Sequence, residues 1–358
     1  MTNAPTPPIA PTKAVDDQTS AADVQAATTA VLRMIQGLHI SRAVYVAAKL
    51  GISDLLADGP RSSAELAQLT KAHAPSLYRI LRLLAALNVL REQPSGQFAL
   101  TPLGERLRTD VPGSLRNWAM LTDHLGGLRT FDRILDTVMS GEAGLKLAFD
   151  VPSFEFLAKN PAAAVSFQAA MSERTAAFAP SVGATYDFSR MRRIVDVGGG
   201  RGTLLAAVLA ARAHLHGVVF DLPEVVAGAA EILQAAGVAD RCAIEGGDFF
   251  VAVPAGADGY LLANVLHDWD DERSIAILRK CRRAMHGDGR VLVVERMVFS
   301  DPEQLIPTLL SDLNMLVLTG GQERTEEEYA RLLAGADLRL TGVLPVTYPY
   351  GVFEGAPT

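Results

Sequence analysis

One histidine in this chain has the company that proton transfer requires. His267 sits in Leu261-Leu262-Ala263-Asn264-Val265-Leu266-His267-Asp268-Trp269-Asp270-Asp271, an apolar run that ends in acids. An imidazole placed there titrates near neutral pH and can take a proton from a bound hydroxyl. A lone histidine is more often structural. The other six (His39, His73, His124, His214, His216, His286) lie in helical or loop contexts without such neighbours. A second cluster comes earlier, in Ile194-Val195-Asp196-Val197-Gly198-Gly199-Gly200-Arg201-Gly202. A β-branched run closes on an acid, and glycines then fall at 198, 200 and 202. That reads as a buried strand, a turn whose backbone approaches a ligand closely, and a helix start. A dinucleotide fingerprint needs G-x-G-x-x-G, but its third glycine would fall on Thr203. Asp221 closes the next apolar run, 19 residues after Gly202 (221 − 202), where a carboxylate can hydrogen-bond a ribose. These residues imply a nucleoside cofactor, and the alternating glycines favour S-adenosylmethionine over a dinucleotide.

The elements that must hold these groups alternate after Arg193. Strands are expected near 193–197, 217–220, 241–245, 258–263 and 290–295, with helices between, which predicts an α/β fold with a parallel sheet covered on both faces. Segments 339–346 and 350–353 predict a closing antiparallel pair. Ligands of such sheets bind at the carboxyl ends of the strands. Those ends carry Asp196 with the glycine loop, Asp221, Asp248-Phe249, His267-Asp268-Trp269 and Glu295. An acid beside an aromatic at the third end suits an adenine. Methyl transfer is an in-line displacement, so the protein has only to bind, orient and deprotonate the acceptor.

Upstream, residues 21–56 have helical spacing, with Val31, Met34, Ile35 and Leu38 followed by Val44, Ala47 and Ala48. Ser62-Ser63-Ala64-Glu65 is a capping box. After a break at Ala74-Pro75, Ser76 is expected to cap a second helix with Leu77, Ile80, Leu81, Leu84 and Leu87 inward. Residues 93–100 suggest a hairpin, and a helix follows from Pro102. This is a winged-helix outline, which could bind DNA. The second helix offers only Arg79 and Arg82, so a dimerisation module is favoured. Residues 113–190 read as helical. Trp118, Met120, Phe131, Phe154, Phe156, Phe167, Met171 and Phe178 are expected mostly as core, with Phe167, Met171 and the later Met315 lining a substrate pocket.

Composition sets the bounds. The 358 residues suffice for two domains, 49% are apolar, 20% are charged, and the net charge of −7 argues against nonspecific nucleic-acid binding. Cys242 and Cys281 have no metal-ligand spacing and read as free thiols; no metal is expected. No apolar run reaches the roughly 18 residues of a membrane helix, and residues 1–20 read as a disordered tail rather than a secretory signal. The expectation is a cytoplasmic protein.

Asp196-Val-Gly-Gly-Gly-Arg-Gly, Phe220-Asp-Leu-Pro, Gly246-Gly-Asp-Phe-Phe, Leu266-His-Asp-Trp-Asp-Asp and Gly320-Gly-Gln-Glu-Arg-Thr, in that order, resemble the small-molecule O-methyltransferases of the plant caffeic-acid and isoflavone type. Bacterial relatives that methylate polyketides and other secondary metabolites are more similar still. The resemblance covers nearly the whole chain after the tail. After the disordered tail (1–20) it implies an all-helical winged-helix-like dimerisation domain (21–112) and a Rossmann-like methyltransferase domain (113–358). In that domain residues 113–190 line the substrate. It implies His267 as base with the acids Glu295 and Glu323 flanking it. It implies S-adenosylmethionine, leaving as S-adenosylhomocysteine, at Gly198, Gly200, Asp221, Leu222, Asp248, Phe249, Asn264, Trp269 and Thr175. It also implies a homodimer acting on a small hydroxylated aromatic, with no nucleic acid or membrane partner. Plant members carry a lysine where this chain has Asn264, so one cation toward the cofactor is missing. Two other functions share some of these features: a hydroxylase or decarboxylase that keeps the cofactor on the same fold, and a winged-helix regulator that only senses a ligand.

Overall fold

The structure, a computed structural model, describes residues 20–124 and 126–358. All but Ser20 of the expected tail lies outside the described residues. Ser20 caps the first helix, accepting from the Asp23 N–H while the Asp23 carboxylate accepts from the Ser20 N–H. The expected continuous helix from 21 to 56 is three helices, Ala21–Ile35, Gly37–Lys49 and Ile52–Leu55. The breaks fall where glycine weakens a helix: at Gln36-Gly37, and at Gly51, whose φ of +65° is left-handed. Ser62 and Glu65 form the expected capping box. Ser76 does not cap the next helix, which runs Ala74–Ala86 from His73 with Pro75 in its first turn, a position where a missing N–H costs nothing. The Ser76 hydroxyl instead meets His73 Nδ1 at 2.9 Å.

Leu66, Leu77, Leu81, Leu84, Leu90 and Phe98 form the core of this N-terminal domain. Its departure from an all-helical module is a small sheet in which β1 (Arg61–Ser62) and β2 (Leu90–Glu92) both pair with β3 (Gln97–Leu100). The first helix buries none of its residues, and Val31, Leu32, Met34, Ile35 and Leu38 are all at least half exposed. Isolated helices of this length are marginal in water, and contiguous apolar surface marks an interface. A homodimer through this face is therefore expected in light scattering at micromolar concentration. Met34→Asp with Ile35→Asp should shift it to monomer, and a wild-type monomer would count against the interface.

In the second domain the sheet order is β6-β5-β4-β7-β8-β10-β9, with β4 (Arg193–Val197), β5 (His216–Asp221), β6 (Cys242–Gly246), β7 (Ala257–Ala263) and β8 (Met285–Arg296) parallel. β8 starts well before the expected residue 290. β10 (Tyr350–Pro357) and β9 (Leu338–Pro345) close the sheet antiparallel. Alternate residues feed opposite faces, as strand geometry requires. Ile194, Val219, Leu261 and Leu292 pack with the helix Thr203–Ala211, while Val195, Val218, Tyr260 and Val293 pack with Asp271–Ala284 and Glu326–Ala334. The chain runs from β4 outward to β6, then returns to β7 on the other side of β4. The crevice at that reversal is where an open α/β sheet takes a ligand. No helix among the described residues is long and apolar enough to cross a membrane.

Candidate active site

A cavity of about 910 Å³ opens over the carboxyl ends of β4, β5 and β7, near the upper end of the roughly 300–1,000 Å³ usual for small-molecule sites. Its floor is the glycine loop. The N–H groups of Gly198 and Gly199 both donate to the Phe220 carbonyl, at 2.8 and 3.2 Å, which ties the loop to β5. Gly198, Gly200 and Gly202 all have positive φ, but they face different neighbours. A Cβ on Gly198 would lie 2.8 Å from Val265, and one on Gly202 would lie 2.9 Å from Val219. One on Gly200 would meet only Gln168, at 3.7 Å. Two of the glycines serve packing; Gly200 faces open space in the cavity.

Asp221 accepts from the Gly200 N–H at 2.8 Å through one oxygen and from the Leu222 N–H at 2.7 Å through the other. Each oxygen keeps a lone pair for a ligand. Asp196, named in the motif but not among the expected binding residues, is 1% exposed, lines the cavity and leaves Oδ2 without a partner. Burial, with Asp221 nearby, pushes its carboxyl up to about 7. Asn264, at φ +53°, likewise leaves Oδ1 buried and unpartnered. Orphaned acceptors of this kind need a donor-bearing ligand. The ammonium and hydroxyls of S-adenosylmethionine supply such donors, so this lining fits the implied cofactor.

His267 is carried by a 3₁₀ turn, Leu266–Asp268, just past β7. Its imidazole is 2% exposed, with Nδ1 3.0 Å from Glu323 Oε1 and 3.5 Å from Glu295 Oε2. The two acids do different jobs. Glu295 Oε1 accepts from the N–H groups of Val265, Leu266 and His267, at 3.0, 3.0 and 3.4 Å, and so holds the turn itself. Glu323 is fixed by the Ser311 hydroxyl at 2.7 Å and orients the ring. The block Gly320-Gly321-Gln322-Glu323-Arg324-Thr325 clamps the same turn from outside. A Cβ on Gly321 would lie 2.0 Å from the His267 carbonyl, the Gln322 N–H donates to that carbonyl, and buried Arg324 donates to the carbonyls of Leu266 and Trp269.

Burial opposes charge on His267, but Glu295, Glu323 and Asp268 outweigh it and push its pKa up to about 9. Burial raises Glu295 to about 7 against the pull of His267. In Glu323 burial is overcome by the imidazole, which holds it below the usual range. The ligand atoms of His267, Glu295 and Glu323 lie within 4.8 Å of one another, the spacing of a metal-ligand set. Only His267 lines the cavity, however, so an ion held among the three would sit behind the ring, away from a substrate.

Of the residues expected at a site, Gly198, Gly200, Asp221, Leu222, Asp248, Phe249, Asn264, Trp269, Thr175, Phe167, Met171, Met315 and His267 all line this one cavity. Phe167 and Met171 face the space as expected, and Trp118, Phe131 and Phe154, expected as core, are cavity wall as well; only Met120 and Phe178 of that group are buried. Phe154 stacks on Trp269 with ring centroids 5.2 Å apart. Sequence reasoning passed over Gln168, Ser172 and Arg174, which also line the cavity. Their spacing along one helix was the signal that could have found them.

Residues 131–339 match the O-methyltransferase domain and residues 32–110 the O-methyltransferase dimerisation domain. A phenazine O-methyltransferase of Lysobacter antibioticus is 42% identical over 327 residues, 91% of this chain and 95% of that protein. The structure of a mitomycin 7-O-methyltransferase superposes with a TM-score of 0.89 at 38% identity, covering 95% of this chain and all of the other. An O-methyltransferase from neocarzinostatin biosynthesis, solved with S-adenosylmethionine and 2-hydroxy-5-methyl naphthoic acid, superposes with a TM-score of 0.78. It is 35% identical, and the match covers 89% of this chain and 96% of that one.

Proposed function

The chain belongs to the O-methyltransferase family, and we propose that it methylates a hydroxyl of a small aromatic or polyketide-like acceptor, with His267 as the base. Its cofactor is S-adenosylmethionine, which supplies an activated methyl group and leaves as S-adenosylhomocysteine. The observation that carries the reading is the imidazole at the cavity wall. Nδ1 is committed to Glu323, which leaves Nε2 to face an acceptor hydroxyl. A carboxylate behind a ring fixes its tautomer and stabilises the imidazolium once the proton has arrived. The reading assigns Gly198 and Gly200 of the glycine loop to backbone contact with the cofactor. It assigns Asp221 and Leu222 to the ribose, Asp248, Phe249 and Trp269 to the adenine, and Thr175, Asn264 and Asp196 to the amino-acid end. Phe167, Met171 and Met315 would hold the acceptor ring. The free thiols Cys242 and Cys281 support a cytoplasmic setting, and the dimerisation domain supports a homodimer.

The test is methyl transfer from label-bearing cofactor to a panel of phenols, catechols and anthraquinones, with a chelator present throughout. Label recovered as an aryl methyl ether is expected; methylation on nitrogen or carbon alone, or none on any phenol, would overturn the reading. The pH profile adds a second check. A pKa of about 9 means the proton-accepting neutral imidazole is scarce at pH 7, so turnover of an un-ionised phenol should rise with pH and level near pH 9. The break should stay put for acceptors of different acidity. A break that tracks each acceptor's own pKa would point to reaction of the free phenolate without a base.

A further inference from the structure

The helix Pro161–Thr185 presents two neighbouring stripes to the cavity: Gln168, Ser172 and Thr175 on one, Phe167, Met171 and Arg174 on the other. Both follow the i, i+4, i+7 spacing of a single helical face. The first stripe meets the glycine loop, since Gln168 is the neighbour that a Cβ on Gly200 would find. The second ends in Arg174, whose charge acts on Asp268, the residue beside His267, and whose guanidinium lies 5.8 Å from the Trp118 ring centroid. Among the described residues Arg174 has no carboxylate within ion-pair distance, and its Nε is buried without a hydrogen-bond partner. The other arginine of the lining, Arg201, already pairs with Glu231 at 3.5 Å. A buried guanidinium nitrogen left unpaired is costly, and the planar fork matches a carboxylate.

We propose that Arg174 receives a carboxylate on the acceptor, so that the preferred substrates are hydroxylated aromatic acids whose hydroxyl then faces His267. The proposal rests on the reading of the cavity as a methyl-acceptor site. The surroundings make the cation necessary for such a substrate. Asp268 lines the cavity beside His267, with Glu295 and Glu323 behind the ring, and these acids would repel an anionic acceptor that had no counter-charge. The cofactor also carries a carboxylate, but the stripe toward the glycine loop is the other one.

The experiment compares 3-hydroxy-2-naphthoate with its carboxamide. Charge-assisted pairing contributes about tenfold or more, so wild type should favour the acid in kcat/KM by that factor. Arg174→Gln should raise KM for the acid about tenfold, leave the carboxamide within about threefold, and leave S-adenosylhomocysteine affinity by calorimetry unchanged. Arg174→Lys should recover part of the loss. Equal losses on acid and carboxamide would overturn the proposal in favour of a structural role. A fall in S-adenosylhomocysteine affinity would move Arg174 to the cofactor's carboxylate. If wild type methylates neither compound, the acceptor reading fails on its own. Titrating the acid into the S-adenosylhomocysteine complex then still decides for or against Arg174, by whether wild type binds it and Arg174→Gln binds it about tenfold less well.

Discussion

His267→Ala is expected to lower turnover of an un-ionised phenol by about 10²–10⁴-fold, the contribution of a positioned general base. A phenol with a pKa near 10 is only about a thousandth ionised at neutral pH, so most of the barrier that the ring removes is the proton. Cofactor affinity should hardly change, because the Glu295 carboxylate supports the turn through backbone N–H groups and not through the imidazole. The defect should shrink for an acceptor whose hydroxyl is already ionised at the assay pH, since no proton then remains to be taken. Near-wild-type turnover of His267→Ala on an un-ionised acceptor would leave proximity as the source of catalysis. Substituting Glu295 is a poorer probe, because three backbone donors would lose their acceptor in a buried setting. Glu323→Gln is the cleaner companion. It keeps a hydrogen-bonding oxygen for Nδ1 and the Ser311 hydroxyl but removes a charge that raises His267, so the alkaline break in the pH profile should move down.

The strand ends were legible because each is punctuated locally: an apolar run, then an acid or a glycine, at Asp196, Asp221, Asp248 and His267. Parallel sheets place such ends on one edge, so order along the chain translates into a shared site. The roles behind that edge were less visible. Glu295 lies near the carboxyl end of β8 and could be read as an acid near His267. Its grip on the backbone of residues 265–267 depends on the pairing of β7 with β8, which no local pattern encodes. The helices of 113–190 misled in a different way. Apolar spacing says which side chains leave water, but an apolar cavity and a packed core make the same demand, so Trp118 and Phe154 read as core. Helix breaks at Gln36 and Gly51, and the shift of the cap from Ser76 to His73, reflect one or two residues whose backbone preference outweighs the side-chain period.

Gly200→Val should be the variant that loses the cofactor while keeping the fold. The loop has three glycines with positive φ, and only at Gly200 does an added Cβ find open cavity rather than Val265 or Val219. Valine at φ +59° is strained by about 1–2 kcal/mol, which for a domain of this size lowers Tm by several degrees. The Gly200 N–H can still reach Asp221. The branched methyls, however, would occupy the space where a ligand must touch backbone. Overlap of that kind costs about 3 kcal/mol, or roughly a hundredfold in affinity. Gly198→Val and Gly202→Val should behave differently, because their side chains collide with the core at 2.8 and 2.9 Å, and their main loss should be stability. Calorimetry with S-adenosylhomocysteine, beside thermal melts of all three variants, separates the two effects. A folded Gly200→Val protein with wild-type affinity would place the cofactor away from the glycine loop, and the assignments of Asp221 and Asp248 would have to be abandoned with it.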